Sequence, residues 1–400
     1  MSSTLRRAGA CRSLSRLAAA LLAAAALASC SLIERQAPAP VEQRGAVAPG
    51  APAASAPLPA PPGTLERAHA RWVPASFAEL PGWSGDRLAE AWPALRLSCS
   101  AGSASAPAEA WAAVCAQSRQ FFPEDDAQAR QWLEQRFKVY RVESPEGEPA
   151  GLITGYFEPL IDASRKPTRS RRVPLYAAPA DLGTRKPYWT RQELDTLPAA
   201  QAALKGREIA FVEDPMEALL LQVQGSGRLR ITEADGSVRL VRLAFAGHND
   251  QPYRSVGRWL IDQGELGATE ANWPTIKDWA KRNPKRVNEA LWQNPRTVFF
   301  REEPLPDPAL GPRGAQGVPL TPGRSIAVDP LAVPYGTPVW LDATEPLSAR
   351  PLQRLALAQD TGGAIVGAVR ADYFWGWGDE AENQAGRMKQ PLRAWVLWPK

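Results

Sequence analysis

"LALAQDTGGAIVGAVRADYFWGWGDEAENQAGRMK", residues 355–389, decides how the C-terminal part of the chain is read. "RLALAQD" and "AIVGAVRADYFWG" are short runs of branched, small and aromatic residues bounded by glycine, the pattern of strands. Asp360 closes the first run and is followed by Gly362 and Gly363, which allow close backbone approach. Asp372 lies inside the second run, before Tyr373, Phe374 and Trp375. The next acidic residues are Asp379 and Glu380, and the stretch has no histidine or cysteine.

Working outward, "RSIAVDP" (324–330), "TPVWLDA" (337–343) and "RAWVLWP" (393–399) are runs of the same kind. Strands also precede them in "FKVYRV" (137–142), "GLITGYFEPLIDA" (151–163) and "TVFFREE" (297–303). Short punctuated strands of this sort fit a small β-barrel better than a βαβ array. "SGRLRITEADGSVRLVRLAFAG" (226–247) alternates on both sides of Asp235-Gly236 and predicts a hairpin. Helices are predicted from Thr190, which has capping-box spacing to Glu193, and from Asp214, with Pro215 at the first helical position. "RSVGRWLIDQ" (254–263) and "NPKRVNEALWQN" (283–294) read as further helices. Residues 65–138 read as mostly helical, with Asp125 or Asp126 capping "AQARQWLEQRF".

The chain has 400 residues, enough for two domains, and 44% hydrophobic residues, enough for a core. Its 47 Lys+Arg against 42 Asp+Glu is far from a nucleic-acid-binding signature. Arg6, Arg7, Arg12 and Arg16 precede "AAALLAAAALA", an apolar run too short for a comfortable membrane span, so residues 1–29 read as a secretory signal. "LASC", Leu27 to Cys30, resembles a lipoprotein cleavage box, with Cys30 as the lipidated residue. Ser31 in place of an aspartate favours the outer membrane, with the protein on its periplasmic face. Residues 30–64, rich in proline and alanine, then form a tether. Cys99 and Cys115 remain in the mature chain: a disulfide in an oxidising compartment, or two buried thiols.

Two distant histidines, His69 and His248, and no paired-cysteine or calcium-loop motif give no metal site. No phosphate loop or serine elbow occurs, and no cofactor is expected. What remains is carboxylate with aromatics. Fifteen tryptophans is a high count, and indole faces stack on sugar rings as well as in cores. Cleaving a glycosidic bond needs an acid for the leaving oxygen. Burial of Asp372 beside Tyr373, Phe374 and Trp375 would raise its pKa into the useful range. From position alone, Asp360 and Asp372 could equally be turn aspartates.

"GLITGYFEP" (151–159), "DPMEALLLQVQGSG" (214–227), "AFAGHNDQPYRSVGRWLIDQGEL" (244–266) and "NPRTVFF" (294–300), followed by the segments of Asp329, Asp360 and Asp372, resemble the membrane-bound lytic murein transglycosylase A family with its C-terminal three-aspartate domain. The resemblance implies a mainly β protein with N-terminal helices: a double-psi β-barrel domain, an inserted second β-rich domain, and a groove between them. The barrel would take residues 65–160 and 303–400, and the insert 161–302. It implies Asp372 as the acid and base, Asp360 as a supporting carboxylate, and Asp329 as the first of the trio. Tyr156, Glu158, Gln224, Ser226, Tyr373 and Trp375, together with Asp329, are expected to meet the substrate. That substrate would be the glycan strand of peptidoglycan, cleaved between N-acetylmuramic acid and N-acetylglucosamine to leave a 1,6-anhydro end. An inverting glycan hydrolase on the same barrel and a non-catalytic peptidoglycan-binding lipoprotein are the rival readings.

Overall fold

Ile153, Ile326, Trp340, Leu357 and Val396 are fully buried in one apolar cluster, on five of the six strands that close into a ring. The computed structural model describes residues 61–101 and 108–400. The expected signal (1–29), Cys30 and most of the tether lie outside the described residues.

The described chain starts with two strands, β1 (Leu65–Glu66) and β2 (Arg71–Ala75). A helical layer follows: α1 (Trp92–Ser100), α2 (Ala108–Gln120) and α3 (Asp126–Arg136). Asp125 caps α3, its side chain accepting from the Gln128 amide. Then come β3 (Phe137–Glu143) and β4 (Gly151–Glu158). Residues 65–138 are mostly helical, as read, and β2 is a strand that the reading did not include. Pro74 masks the strand pattern, but Trp72 and Val73 are buried and β2 pairs antiparallel with β3.

Residues 160–304 build a second sheet and its helices. In order these are β5 (Leu160–Ser164), β6 (Val173–Tyr176), α4 (Arg191–Thr196), α5 (Pro198–Leu204), β7 (Glu208–Val212) and α6 (Pro215–Gln224). After these follow β8 (Ser226–Thr232), β9 (Val238–His248), α7 (Val256–Asp262), α8 (Trp273–Arg282), α9 (Val287–Gln293) and β10 (Val298–Pro304). The sheet order is β10-β9-β8-β5-β7-β6. The capping box at Thr190, the Asp214 cap and the hairpin of β8 and β9 around Gly236 are all present. "TVFFREE" is β10, which pairs with β9 in this sheet and not with the barrel.

The C-terminal strands are β11 (Ser325–Val328), β12 (Pro338–Thr344), β13 (Pro351–Asp360) and β14 (Arg370–Trp377). Helix α10 (Asp379–Ala385) and β15 (Lys389–Pro399) end the chain. The first sheet runs β1-β2-β3-β15-β12-β13-β11-β14-β4, and β4 also pairs with β15. That extra pairing closes β15, β12, β13, β11, β14 and β4 into a barrel, with β11–β13 and β14–β4 parallel. The protein is mainly β, as the resemblance implied.

Charged side chains tie the parts together. Arg324, before β11, is buried and donates to both oxygens of buried Asp86 at 2.8 and 3.0 Å, joining the N-terminal layer to the barrel. Lys277 on α8 meets Glu382 on α10 at 2.8 Å, holding the insert's helices to the barrel. Cys99 on α1 and Cys115 on α2 form a disulfide, where the sequence left two readings open.

Candidate active site

Alternation along β14 sets the site. Ala371, Tyr373 and Trp375 pack toward the barrel cluster, so Asp372 and Phe374 project from the other face. β4 runs parallel to β14 with Thr154 opposite Asp372 and Tyr156 opposite Phe374. Strand β11 lies on the other side, with Ala327 opposite Asp372. The same Ala327 registers with Asp360 at the end of β13, beyond an irregularity in the pairing. Two carboxylates on consecutive strands of the chain thus flank one small residue of a central strand.

Asp372 accepts a hydrogen bond from the Thr154 hydroxyl at 2.6 Å. Arg370 donates to the same hydroxyl oxygen at 3.0 Å, which leaves the Thr154 proton for Asp372. Burial pushes the Asp372 pKa up to about 6, with the Asp360 charge adding to it; the Thr154 bond and the Arg370 charge oppose the rise. Asp360 accepts from the Tyr156 hydroxyl at 3.0 Å and from the Ala315 amide at 2.9 Å. Burial raises its pKa too, and the donors from Thr361, Ala315 and Tyr156 work against that rise. Burial, and the charges of Asp360 and Asp372, hold the Tyr156 phenol far above its usual pKa, so it stays a neutral donor.

Gly155 sits between Thr154 and Tyr156 and faces the opposite way. A Cβ there would stand 2.8 Å from the Trp375 indole nitrogen and 2.9 Å from the Ala385 backbone. Only glycine lets β4 lie this close to β14 and α10.

A cleft of about 440 Å³ opens beside β4, lined by Gly155, Phe157, Gln224, Tyr253, Arg254 and Trp273 among others. Asp360 and Asp372 are not among its lining residues, because Gly155 and Phe157 face away from Thr154 and Tyr156. The chemistry is on one face of β4 and this cleft meets the other.

The expected site residues separate into two groups. Asp360, Asp372 and Tyr156 come together, and Gln224 lines the cleft while its side-chain oxygen accepts from the Phe157 amide at 3.1 Å. Ser226 is half-buried at the start of β8. Three expected substrate contacts, Glu158, Tyr373 and Asp329, are buried and are corrected, and Trp375 leans toward the core. Glu158 is 0% exposed and holds buried Arg228 at 2.7 Å and Arg242 through a second short ion pair. Tyr373 is also 0% exposed, its hydroxyl donating to the Gly323 carbonyl at 2.8 Å. Trp375 packs its ring on Tyr373 at 5.0 Å on the core side. Asp329 is buried, and its oxygens accept from Leu331, Gly367 and His69, which hold its pKa below the usual range despite burial. Glu158, Tyr373 and Asp329 are internal supports, and Trp375 is half-buried. Thr154 was missed: a lone threonine in a strand gives no signal until the register with β14 is known.

Among the described residues, no group of three or more His, Cys, Asp or Glu side chains could hold a metal ion, and no helix is long and apolar enough to cross a membrane.

Comparison with known proteins gives the same outline. Residues 152–301 match the MltA specific insert domain and residues 324–398 the 3D domain. The chain is similar to membrane-bound lytic murein transglycosylase A of Vibrio cholerae, at 32% identity over 66% of this chain and 70% of that one. It is similar to the structure of lytic transglycosylase LtgG of Burkholderia pseudomallei, at 46% identity and TM-score 0.59, covering 84% of this chain and 97% of that one. It also resembles the structure of Escherichia coli MltA with bound chitohexaose, at 27% identity and TM-score 0.61, covering 84% and 93%. The barrel, its insert and these relatives make the chain a lytic transglycosylase, a lyase of peptidoglycan. Within that class, the chain belongs to the membrane-bound lytic murein transglycosylase A family.

Proposed function

We propose that Asp372 is the single acid and base of a reaction that cleaves the murein glycan between N-acetylmuramic acid and N-acetylglucosamine. The observation that carries the assignment is the buried Asp372 carboxyl held by the Thr154 hydroxyl at 2.6 Å, where burial pushes its pKa up to about 6. A carboxyl of that acidity holds a proton often enough to give it up, and is basic enough to take one back. In the first half, Asp372 protonates the glycosidic oxygen as the C1–O bond breaks and positive charge builds on the muramyl ring. In the second half, the muramyl C6 hydroxyl attacks C1 and its proton returns to Asp372. The product end is a 1,6-anhydro ring. The nucleophile belongs to the substrate, so neither water nor a covalent enzyme intermediate is needed.

Asp360 is assigned to electrostatic support of the positive centre. Both of its oxygens already accept hydrogen bonds, one from Tyr156 and one from Ala315, and this supports a fixed charge over a base that activates water. Bound chitohexaose in the Escherichia coli relative supports a glycan as the ligand class. The strand would lie in the groove between the barrel and the insert, taken as residues 161–302, on the face of β4 that carries Thr154 and Tyr156. The relatives' "membrane-bound" name and the "LASC" box support an outer-membrane lipid anchor at Cys30, on the periplasmic face.

Purified peptidoglycan sacculi test the assignment. Asp372→Asn keeps the side chain's shape and removes its acid, so release of anhydro-muropeptides falls by about 10²-fold or more. Near-normal release would overturn it.

A further inference from the structure

The helical layer carries a second cleft, of about 480 Å³, whose lining is unlike that of the first. Gln117 and Gln120 reach it from the last turn of α2, and Gln128, Gln131 and Gln135 from one face of α3. The α3 residues recur at the spacing of a single helix face, the place where a surface helix usually carries charged side chains. Phe121 and Trp132, stacked at 13° with centroids 6.0 Å apart, line the same cleft. The one charge in the lining is Arg136, and it is committed: its guanidinium lies 4.5 Å over the Trp132 ring and donates to Gln117, to Gln135 and to the Trp132 carbonyl.

We propose that this cleft binds an uncharged stretch of acetamido-sugar chain, as a second glycan site away from the catalytic carboxylates. The proposal rests on the glycan-cleaving function given above. An amide offers both donors and an acceptor, matching sugar hydroxyls and acetamido groups without asking for charge. Gln120 and Gln131 make no side-chain hydrogen bond within the described protein, so their full capacity faces outward. Phe121 supplies an aromatic surface for the apolar face of a ring, and Trp132 holds it in place. The walls are pre-set, because the Cys99–Cys115 disulfide fixes α2 to α1 and Trp132 is buried. A cavity of this volume falls within the usual range for a small-molecule site. The occupant's lack of charge follows from the lining: an anionic peptide or lipid would find no free cation there.

The test uses Asp372→Asn protein, which binds without cleaving, and the N-acetylglucosamine hexamer as a neutral probe. Calorimetry should give two sites per chain, and one site when Gln120→Ala and Gln131→Ala are added. A single site both with and without the added changes overturns the proposal. The rate arm uses otherwise wild-type enzyme carrying the same two changes. On long glycan strands kcat/KM should fall about fivefold, because a second site raises the effective concentration of a tethered strand. On a short fragment that fills only the catalytic groove it should not change. Equal loss on both substrates, or loss on neither, overturns the proposal. Both side chains are exposed, so the melting temperature should be unaffected. Failure of the parent reading is a separate result: wild-type enzyme would yield no anhydro product while the hexamer still filled two sites.

Discussion

Asp360 and Asp372 register with the same residue, Ala327, one through a parallel pairing and the other through an antiparallel one. Their backbones are therefore two strand spacings apart, roughly 10 Å. Each carboxylate keeps its own donors: Thr154 for Asp372, and Tyr156 and Ala315 for Asp360. β4 supplies a donor to each, two residues apart on one face, so the geometry of the pair depends on a strand far away in sequence.

Thr154→Val should separate positioning from acidity. It removes the 2.6 Å bond to Asp372 at nearly constant volume. That bond lowers the Asp372 pKa, so its loss should move the alkaline limb of kcat/KM to higher pH. The rate should also fall by about tenfold, as expected for one hydrogen bond to a charged group. An unmoved limb in a full pH–rate profile would contradict the link.

Tyr156→Phe should act on the acid side. The phenol bond lowers the Asp360 pKa, so without it Asp360 should take up its proton at a higher pH. The acid limb should move upward and turnover should fall, with little change in glycan affinity. A loss confined to affinity would make Tyr156 a sugar contact and not a partner of Asp360.

Asp372→Asn should alter stability as well as activity. Its folded pKa, about 6, is above the ordinary 3.8. The protonated carboxyl costs nothing extra below pH 3.8, and the penalty of holding the ionised form grows as pH rises through 6. Asparagine removes that penalty, so the variant should gain about 1–3 kcal/mol at pH 8 and nothing near pH 3.5. Denaturant titrations at the two pH values check both the sign and the window.

Glu158→Ala should be the most destabilising of these changes. It leaves Arg228 and Arg242 buried without their shared carboxylate, at a cost of about 3–5 kcal/mol. Arg228 and Arg242 also donate to the Leu310 carbonyl at 3.0 and 2.6 Å, so the segment returning to the barrel should loosen. Urea unfolding measures the first effect, and proteolysis near residue 310 measures the second. A melt like that of the parent protein would show that the ion-pair cluster contributes nothing net.

The barrel and its two aspartates were legible because their residues sit in local patterns: glycine-bounded strands, and a carboxylate ahead of an aromatic run. Which face each residue takes was less legible. Tyr373 and Trp375 follow Asp372 closely in sequence, and alternation turns both toward the core, Tyr373 fully buried and Trp375 half-buried. Glu158 looks like a groove acid in "GYFEP" until Arg228 and Arg242 arrive from the other sheet. Thr154 is defined only by its pairing with a strand that begins more than 200 residues later. Pairing of that kind follows from closing the barrel, and no short motif records it.

The central claim, that the muramyl C6 hydroxyl and not water ends the reaction, is tested by digesting sacculi with the wild-type enzyme in water labelled with heavy oxygen. Mass spectrometry of the released muropeptides should find the 1,6-anhydro species, one water lighter than a reducing sugar and free of label at the muramyl C1. Reducing muropeptides carrying heavy oxygen at C1 would mean that water attacks, with Asp360 as its base, and would contradict the account.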